Sequence, residues 1–304
     1  MTPSFRCPAC ASTTIVRSYV VPDHEYDVGH TAEYGLCEGC GTLSQMPIPD
    51  LEQLASFYPA SYHSFGAAGI LARMKDRARL GRLRSLLTSD RGVILDYGCG
   101  DGRFIKEAAK QTNGLEFWGY EMAARKHEYV APDGKVTIIH GSVDDLLGAL
   151  PPCDVVTMNH VIEHLPDPLA VLTALYGRMN EGGTMEGQTP AADSLERSIF
   201  RTRWSGFHAP RHTVVFSRSG LKQILTAAGF REAEVTPAFN PAGIAVSLAS
   251  ISHGDRPGRI TRQGAGWLMY VGAAAALHPI ERLAGAPGIV NYAARKHAPS
   301  SNAR

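Results

Sequence analysis

From Gly92 onward the chain alternates between two hydrophobic rhythms. Short apolar runs at Val93–Leu95, Glu116–Tyr120, Val136–His140, Asp154–Met158, Gly183–Thr189, Ala233–Thr236 and Gly288–Ala294 have the length and residue types of strands. Between them a helix starts over Phe104–Ala109 and another runs through Leu169–Tyr176. Strands spaced by helices of about ten residues predict a parallel, doubly wound α/β sheet.

The flanks read differently. Residues 1–50 carry short β-prone pieces such as Thr13–Val21, and Met46-Pro-Ile-Pro-Asp50 closes them with an extended, proline-stiffened link. Over 51–90, Leu51, Leu54 and Tyr58 fit one short helix, and Leu71, Met74, Leu80, Leu83 and Leu87 fit a second. The second also holds Arg73, Lys75, Arg77, Arg79, Arg82 and Arg84, which read as a solvated face. The core spans 91–240. Residues 241–287 interrupt it with two apolar stretches, Ile244–Ile251 and Trp267–Leu277, joined by Arg256, Arg259 and Arg262. This reads as a helical hairpin, a lid or an interface, inserted before a last strand at 288–298 and a disordered tail at 299–304.

The most informative stretch is Gly92-Val-Ile-Leu-Asp96-Tyr-Gly98-Cys-Gly100-Asp101-Gly102. An apolar strand runs into G-x-G-x-G and then into a helix, and glycines there let the backbone approach a ligand without a Cβ in the way. Glu121, at the end of the next strand, is placed to accept the two hydroxyls of a ribose. Asp96 and Asp101 would repel a pyrophosphate but suit a cationic amino or sulfonium group. With these residues the chain resembles the class I S-adenosylmethionine-dependent methyltransferases, whose fold is Rossmann-like. Asp154-Val-Val-Thr-Met-Asn-His-Val-Ile-Glu-His164 is similar to their fourth-strand motif, including those acting on quinones. Gly182-Gly183 with Thr189-Pro190, and Trp204 to His212, extend the likeness over roughly residues 90 to 240. The resemblance implies S-adenosyl-L-methionine as cofactor. Gly98, Gly100 and Gly102 would cradle its methionyl part, with Asp96 near the amino group. Glu121 would hold the ribose and Met122 the adenine, with Asn159 and His160 lining the methionyl side. Where the family often has an acidic residue after its third strand, this chain has Ser142-Val143 at the adenine.

Cys7-Pro-Ala-Cys10 and Cys37-Glu-Gly-Cys40 are two C-x-x-C knuckles 26 residues apart, a spacing that completes a four-thiolate shell around one structural Zn2+ ion. Nucleic acid is a poor partner for this ribbon. Up to Glu52 it has two basic residues, Arg6 and Arg17, against seven acidic ones, a net of minus five. It is similar to the zinc-binding segment ahead of some sugar and natural-product methyltransferases.

Composition narrows the remainder. The chain has 304 residues, 44% hydrophobic and 19% charged, with a net charge of +1, a soluble globular balance. The longest apolar run, Ala265–Leu277, falls short of the roughly 20 residues that cross a bilayer, and no signal peptide is visible. A cytoplasmic location is expected. The expected activity is O-methylation of a small-molecule acceptor such as a sugar, a polyketide or another secondary metabolite. An RNA base methyltransferase and a non-catalytic S-adenosylmethionine-binding scaffold stand as alternatives, and residues 241–287 offer a surface for a homodimer. Removing a hydroxyl proton calls for a base, and His212, His208 and His160 are the candidates. Trp204 and Arg211 could stack on and pair with the acceptor. Glu163-His164 would either pack a helix or bind a divalent ion, as the likeness to quinone methyltransferases suggests.

Overall fold

A computed structural model describes residues 5–59, 62, 70–123, 127–256, 260, 262 and 264–297, except the side chains of 70–75 and 282. The tail at 299–304, Arg259 and the side chains of Leu71, Arg73, Met74 and Lys75 lie outside the described residues.

The strands are β1 (Ile15–Pro22), β2 (Thr31–Cys37), β3 (Leu43–Gln45), β4 (Gly92–Tyr97), β5 (Leu115–Met122) and β6 (His127–Val130). They continue as β7 (Val136–Gly141), β8 (Cys153–Asn159), β9 (Met179–Pro190), β10 (Val214–Val215), β11 (Arg231–Pro237) and β12 (Ile289–Arg295). The helices are α1 (Leu51–Ser56), α2 (Ile70–Ser85), α3 (Arg103–Ala109), α4 (Val143–Ala149) and α5 (Pro168–Arg178). They are followed by α6 (Leu195–Phe200), α7 (Arg218–Ala227), α8 (Ala242–His253) and α9 (Gly264–Leu283).

The large sheet has the order β11-β12-β9-β8-β4-β5-β7-β6. Its five middle strands are parallel, as the alternating pattern predicts. The sheet is nevertheless mixed, because β12, β11 and β6 pair antiparallel. Strand β6 escaped the sequence reading because all four of its residues are exposed, so an edge strand left no apolar rhythm to detect.

The cysteine ribbon is welded to this domain. β1, β2 and β3 form an antiparallel sheet whose fourth strand, β10, comes from the core region. Cys7, Ala9, Cys37 and Cys40 pack in one apolar cluster with Val214, Phe216, Leu221 and Ile224. Tyr34, fully buried, donates its hydroxyl proton to the carbonyls of His212 (2.8 Å) or Phe207 (3.2 Å).

Two arginines of α2 depart from the expected solvated face, which exposed Arg77 and Arg84 keep. Arg79 reaches Asp96 at 2.7 Å and lies over the Phe104 ring, while Arg82 reaches Glu186 at 2.6 Å. Both carboxylates are buried in the sheet, and a buried charge needs a partner. Helices α8 and α9 form the expected hairpin. Ile244 and Ala245 pack with Trp204 and Phe207, and the connection is tied to the ribbon by an Arg262–Glu25 ion pair and the Ile260 N–H to the Glu25 carbonyl. Among the described residues no helix is long and apolar enough to cross a membrane.

Candidate functional site

The turn after β4 is built around glycine. Gly98, Gly100 and Gly102 all have positive φ, and a Cβ on Gly98 would stand 2.4 Å from Val161 Cγ2. Gly98 and Cys99 donate their N–H groups to the Tyr120 carbonyl, folding the turn over the end of β5. From there Glu121 reaches back, and its Oε2 accepts the Gly100 N–H at 2.8 Å. Burial, opposed by that hydrogen bond and aided by nearby Asp96, pushes the Glu121 carboxyl above its ordinary value. Glu121 and the three glycines therefore share one ledge at the C-terminal end of the parallel strands, where open α/β sheets bind ligands.

The other expected cofactor residues distribute around it. Met122 is exposed beside Glu121. Ser142 is committed to capping α4: its Oγ accepts the Asp145 N–H while the Asp145 carboxylate accepts the Ser142 N–H, and Val143 follows half-buried. Asn159 ends β8 and donates to Thr157 Oγ1, which donates to Glu186. Asp96 already holds Arg79, so its charge is answered from within the chain.

His160 sits just past β8 in the left-handed region, at φ 56°. Its side chain is 40% exposed, Nδ1 stands 3.4 Å from Glu163 Oε1, and Nε2 stands 3.1 Å from Gln188 Oε1. Burial opposes charge there, but the Glu163 carboxylate prevails and holds the imidazole pKa above its ordinary value. A non-glycine residue held at positive φ is costly and concentrates at working sites.

The two other candidate bases are differently placed. His208 has both nitrogens engaged, Nδ1 with Glu25 at 2.7 Å and Nε2 as acceptor from Arg211 Nε at 3.1 Å. His212 is buried, with Nδ1 donating to the Gly206 carbonyl at 2.8 Å, and burial pushes its pKa well below the ordinary value. Trp204 and Arg211 offer no acceptor surface either. Trp204 is buried, donating to Glu196, and Arg211 is buried in a two-pronged pair with Asp23 at 2.8 and 3.0 Å.

Two groups have metal-ligand geometry. The sulfurs of Cys7 and Cys40 are 3.6 Å apart, those of Cys10 and Cys37 are 3.4 Å apart, and all four lie within 4.8 Å of one another. A tetrahedral zinc with bonds of about 2.3 Å spaces its sulfurs by roughly 3.8 Å, so the donor set fits. One ligand atom each from Glu163, His164 and His212 also lies within 4.8 Å of the others. Glu163 Oε1 lies 3.4 Å from His160 Nδ1 and 3.9 Å from His212 Nε2 but meets the hydrogen-bond geometry with neither among the described residues, and Oε2 accepts from Thr189. His164 is pushed down to about 4 by burial, with Nδ1 2.8 Å from the Tyr58 hydroxyl. Sequence singled out Glu163 beside His164 but not its contacts with Thr189 in β9 and His212 in the loop before β10, which come from far along the chain.

A glycine turn with a carboxylate folded back onto it, at the end of a parallel sheet, is the geometry expected of a methyltransferase fold. The sequence profile of the family described as "Methyltransferase domain" matches residues 71–235, more than half of the chain, and the chain belongs to that family. A Mycolicibacterium smegmatis protein whose name marks it as an S-adenosylmethionine-dependent methyltransferase is 28% identical over 155 residues, 50% of this chain and 57% of that one. The ubiquinone biosynthesis O-methyltransferase of Xanthomonas campestris pv. campestris is 34% identical over 116 residues, 34% of this chain and 46% of that one. The chain thus spans about half the length of the curated relatives it matches. In fold it is similar to phosphoethanolamine N-methyltransferase 2 of Haemonchus contortus. The TM-score is 0.51 at 14% identity, with 84% of this chain and 63% of that chain covered.

Proposed function

We propose that the protein is an S-adenosylmethionine-dependent methyltransferase that acts on an oxygen of a small-molecule acceptor, a sugar, polyketide or other secondary metabolite. His160 serves as general base, and a structural zinc sits in the four-cysteine shell. The observation that carries this reading is the His160–Glu163 pair. It is the one candidate imidazole with an exposed edge, beside the glycine ledge and backed by a buried carboxylate. The cofactor, when bound, supplies a methyl group on a sulfonium.

The chain's own residues account for the other requirements. Gly98, Gly100 and Gly102 would hold the methionyl part, Glu121 would accept the ribose hydroxyls, and Met122, Ser142 and Val143 would hold the adenine. Asn159 and His160 would line the methionyl side. As the acceptor oxygen attacks, its proton passes to His160 Nε2, where the hydroxyl replaces Gln188 as hydrogen-bond partner. The Glu163 carboxylate stabilises the imidazolium so formed, the role of an acid partner behind a catalytic histidine. Arg79 and Arg82 are spent on sheet carboxylates, which argues against a basic RNA-binding face.

The test has two stages. Calorimetry with S-adenosylhomocysteine checks the pocket. Transfer of labelled methyl to a panel of glycosides, phenols and polyketides then checks the activity. Binding without any transfer supports a scaffold instead, and no binding refutes the pocket.

A further inference from the structure

Helix α9 is built the wrong way round for a solvated surface helix. Of its ionisable residues His278 and Glu281 are buried, with His278 edge-on to Phe239, while the side chain of Arg282 lies outside the described residues. Trp267, Tyr270, Val271 and Ala274 pack inward with the Trp204–Phe207 cluster. The opposite face shows no charged side chain among the described residues. There Leu268 is 70% exposed, Met269 75%, Ile280 51% and Leu283 88%, with exposed Gly272, Ala273, Ala275 and Ala276 between them. At 3.6 residues per turn the midline of this face is Ala265, Met269, Gly272, Ala276, Pro279 and Leu283. Their spacing alternates four and three, the repeat that forms the seam between paired helices.

We propose that α9 is the interface of a homodimer, packed antiparallel against α9 of a second copy. With the two-fold axis between Gly272 and Ala276, antiparallel pairing sets Leu283 over Ala265, Met269 over Pro279 and Gly272 over Ala276. Larger side chains then meet smaller ones, and the backbones approach most closely at the axis. Half the wall of a water-coated helix about 30 Å long is roughly 600 Å², so the pair would bury roughly 1,200 Å² in total, the lower end of the range for stable interfaces. Exposed Ile251 and Phe239 border the face, held to α9 through the Tyr270–Ser252 hydrogen bond (2.7 Å) and the Phe239–His278 ring contact. A lipid surface would need no such register, and it would favour a free cationic rim. Arg256, beside this face, is spent on the carbonyls of Ser252 and His253 at the end of α8.

Sedimentation velocity of the full chain tests this. The expected particle is twice the 32.7 kDa chain at about 10 μM. Ala276→Glu gives monomer at the same concentration with S-adenosylhomocysteine affinity unchanged. Leu283→Lys, at the most exposed position, serves the same purpose should Ala276→Glu fail to fold. Spin labels on Ala265 stand roughly 30 Å apart in the antiparallel pair, against roughly 10 Å in a parallel one. A monomer at about 100 μM, a dimer that survives both substitutions, or a monomer that floats with phosphatidylglycerol–phosphatidylcholine vesicles overturns the proposal. The methyltransferase reading is judged separately, by cofactor binding.

Discussion

Glu163→Gln isolates the electrostatic role of the carboxylate behind His160. The substitution keeps shape and removes one negative charge 3.4 Å from Nδ1. In the native protein that charge raises the His160 pKa, so the base is protonated and idle at low pH, and kcat/KM rises as pH climbs through a value above the ordinary 6.5. Without it burial is left as the main influence, which lowers the pKa. The acidic limb must therefore move to lower pH in Glu163→Gln. The plateau must fall as well, because the imidazolium formed during transfer loses its counter-charge. Replacing the base itself, in His160→Asn, should cost about 10²- to 10⁴-fold in kcat. Rate profiles from pH 5 to 9 with a labelled methyl donor provide the measurement, and thermal melts check that both variants fold. An acidic limb that stays in place in Glu163→Gln, or full activity in His160→Asn, refutes the assigned base.

Three further outcomes are expected. Gly98→Ala puts a Cβ into Val161 at a φ of 81°, so S-adenosylhomocysteine affinity measured by calorimetry should fall by at least about tenfold, while Ala substitution at exposed Gly148, with open space around it, should leave it unchanged. Cys37→Ser should reduce bound zinc from one per chain to none by elemental analysis and lower the melting temperature sharply, since such a site holds on the order of 10 kcal/mol of apparent folding energy. Glu25 is buried, which alone would raise its pKa, yet His208 and Arg262 hold it down to about 2 from 4.5. Its stabilisation, on the order of 3 kcal/mol, is thus complete above the unfolded value and lost as pH falls from 4.5 towards 2. Chemical denaturation of Glu25→Gln at neutral pH should show that deficit, and the gap from wild type should narrow over the same acid range.

How far this chain can be read from its letters varies with the range of the interaction involved. The glycine turn, the strands β4, β5, β7, β8 and β9 and the two cysteine knuckles are local devices. Each is written within a dozen or so residues, because an apolar run, a positive-φ turn or a C-x-x-C pair needs no distant partner to be recognised. The edge strand β6 and the two-residue β10 left no such mark, since their identity comes from the strands beside them.

The chemistry of the histidines shows the same division. Sequence offered His212, His208 and His160 together as candidate bases. Folding brings Glu25 and Arg211 onto His208, and the Gly206 carbonyl and a dry environment onto His212, while His160 keeps an exposed edge. Trp204 and Arg211 likewise left the candidate acceptor surface for the interior. The family and its glycine turn were thus legible in short-range pattern. Which imidazole keeps a usable nitrogen, which arginines face solvent and whether the ribbon stands apart were settled by long-range burial and pairing, because desolvation and charge contacts exist only once distant segments have met.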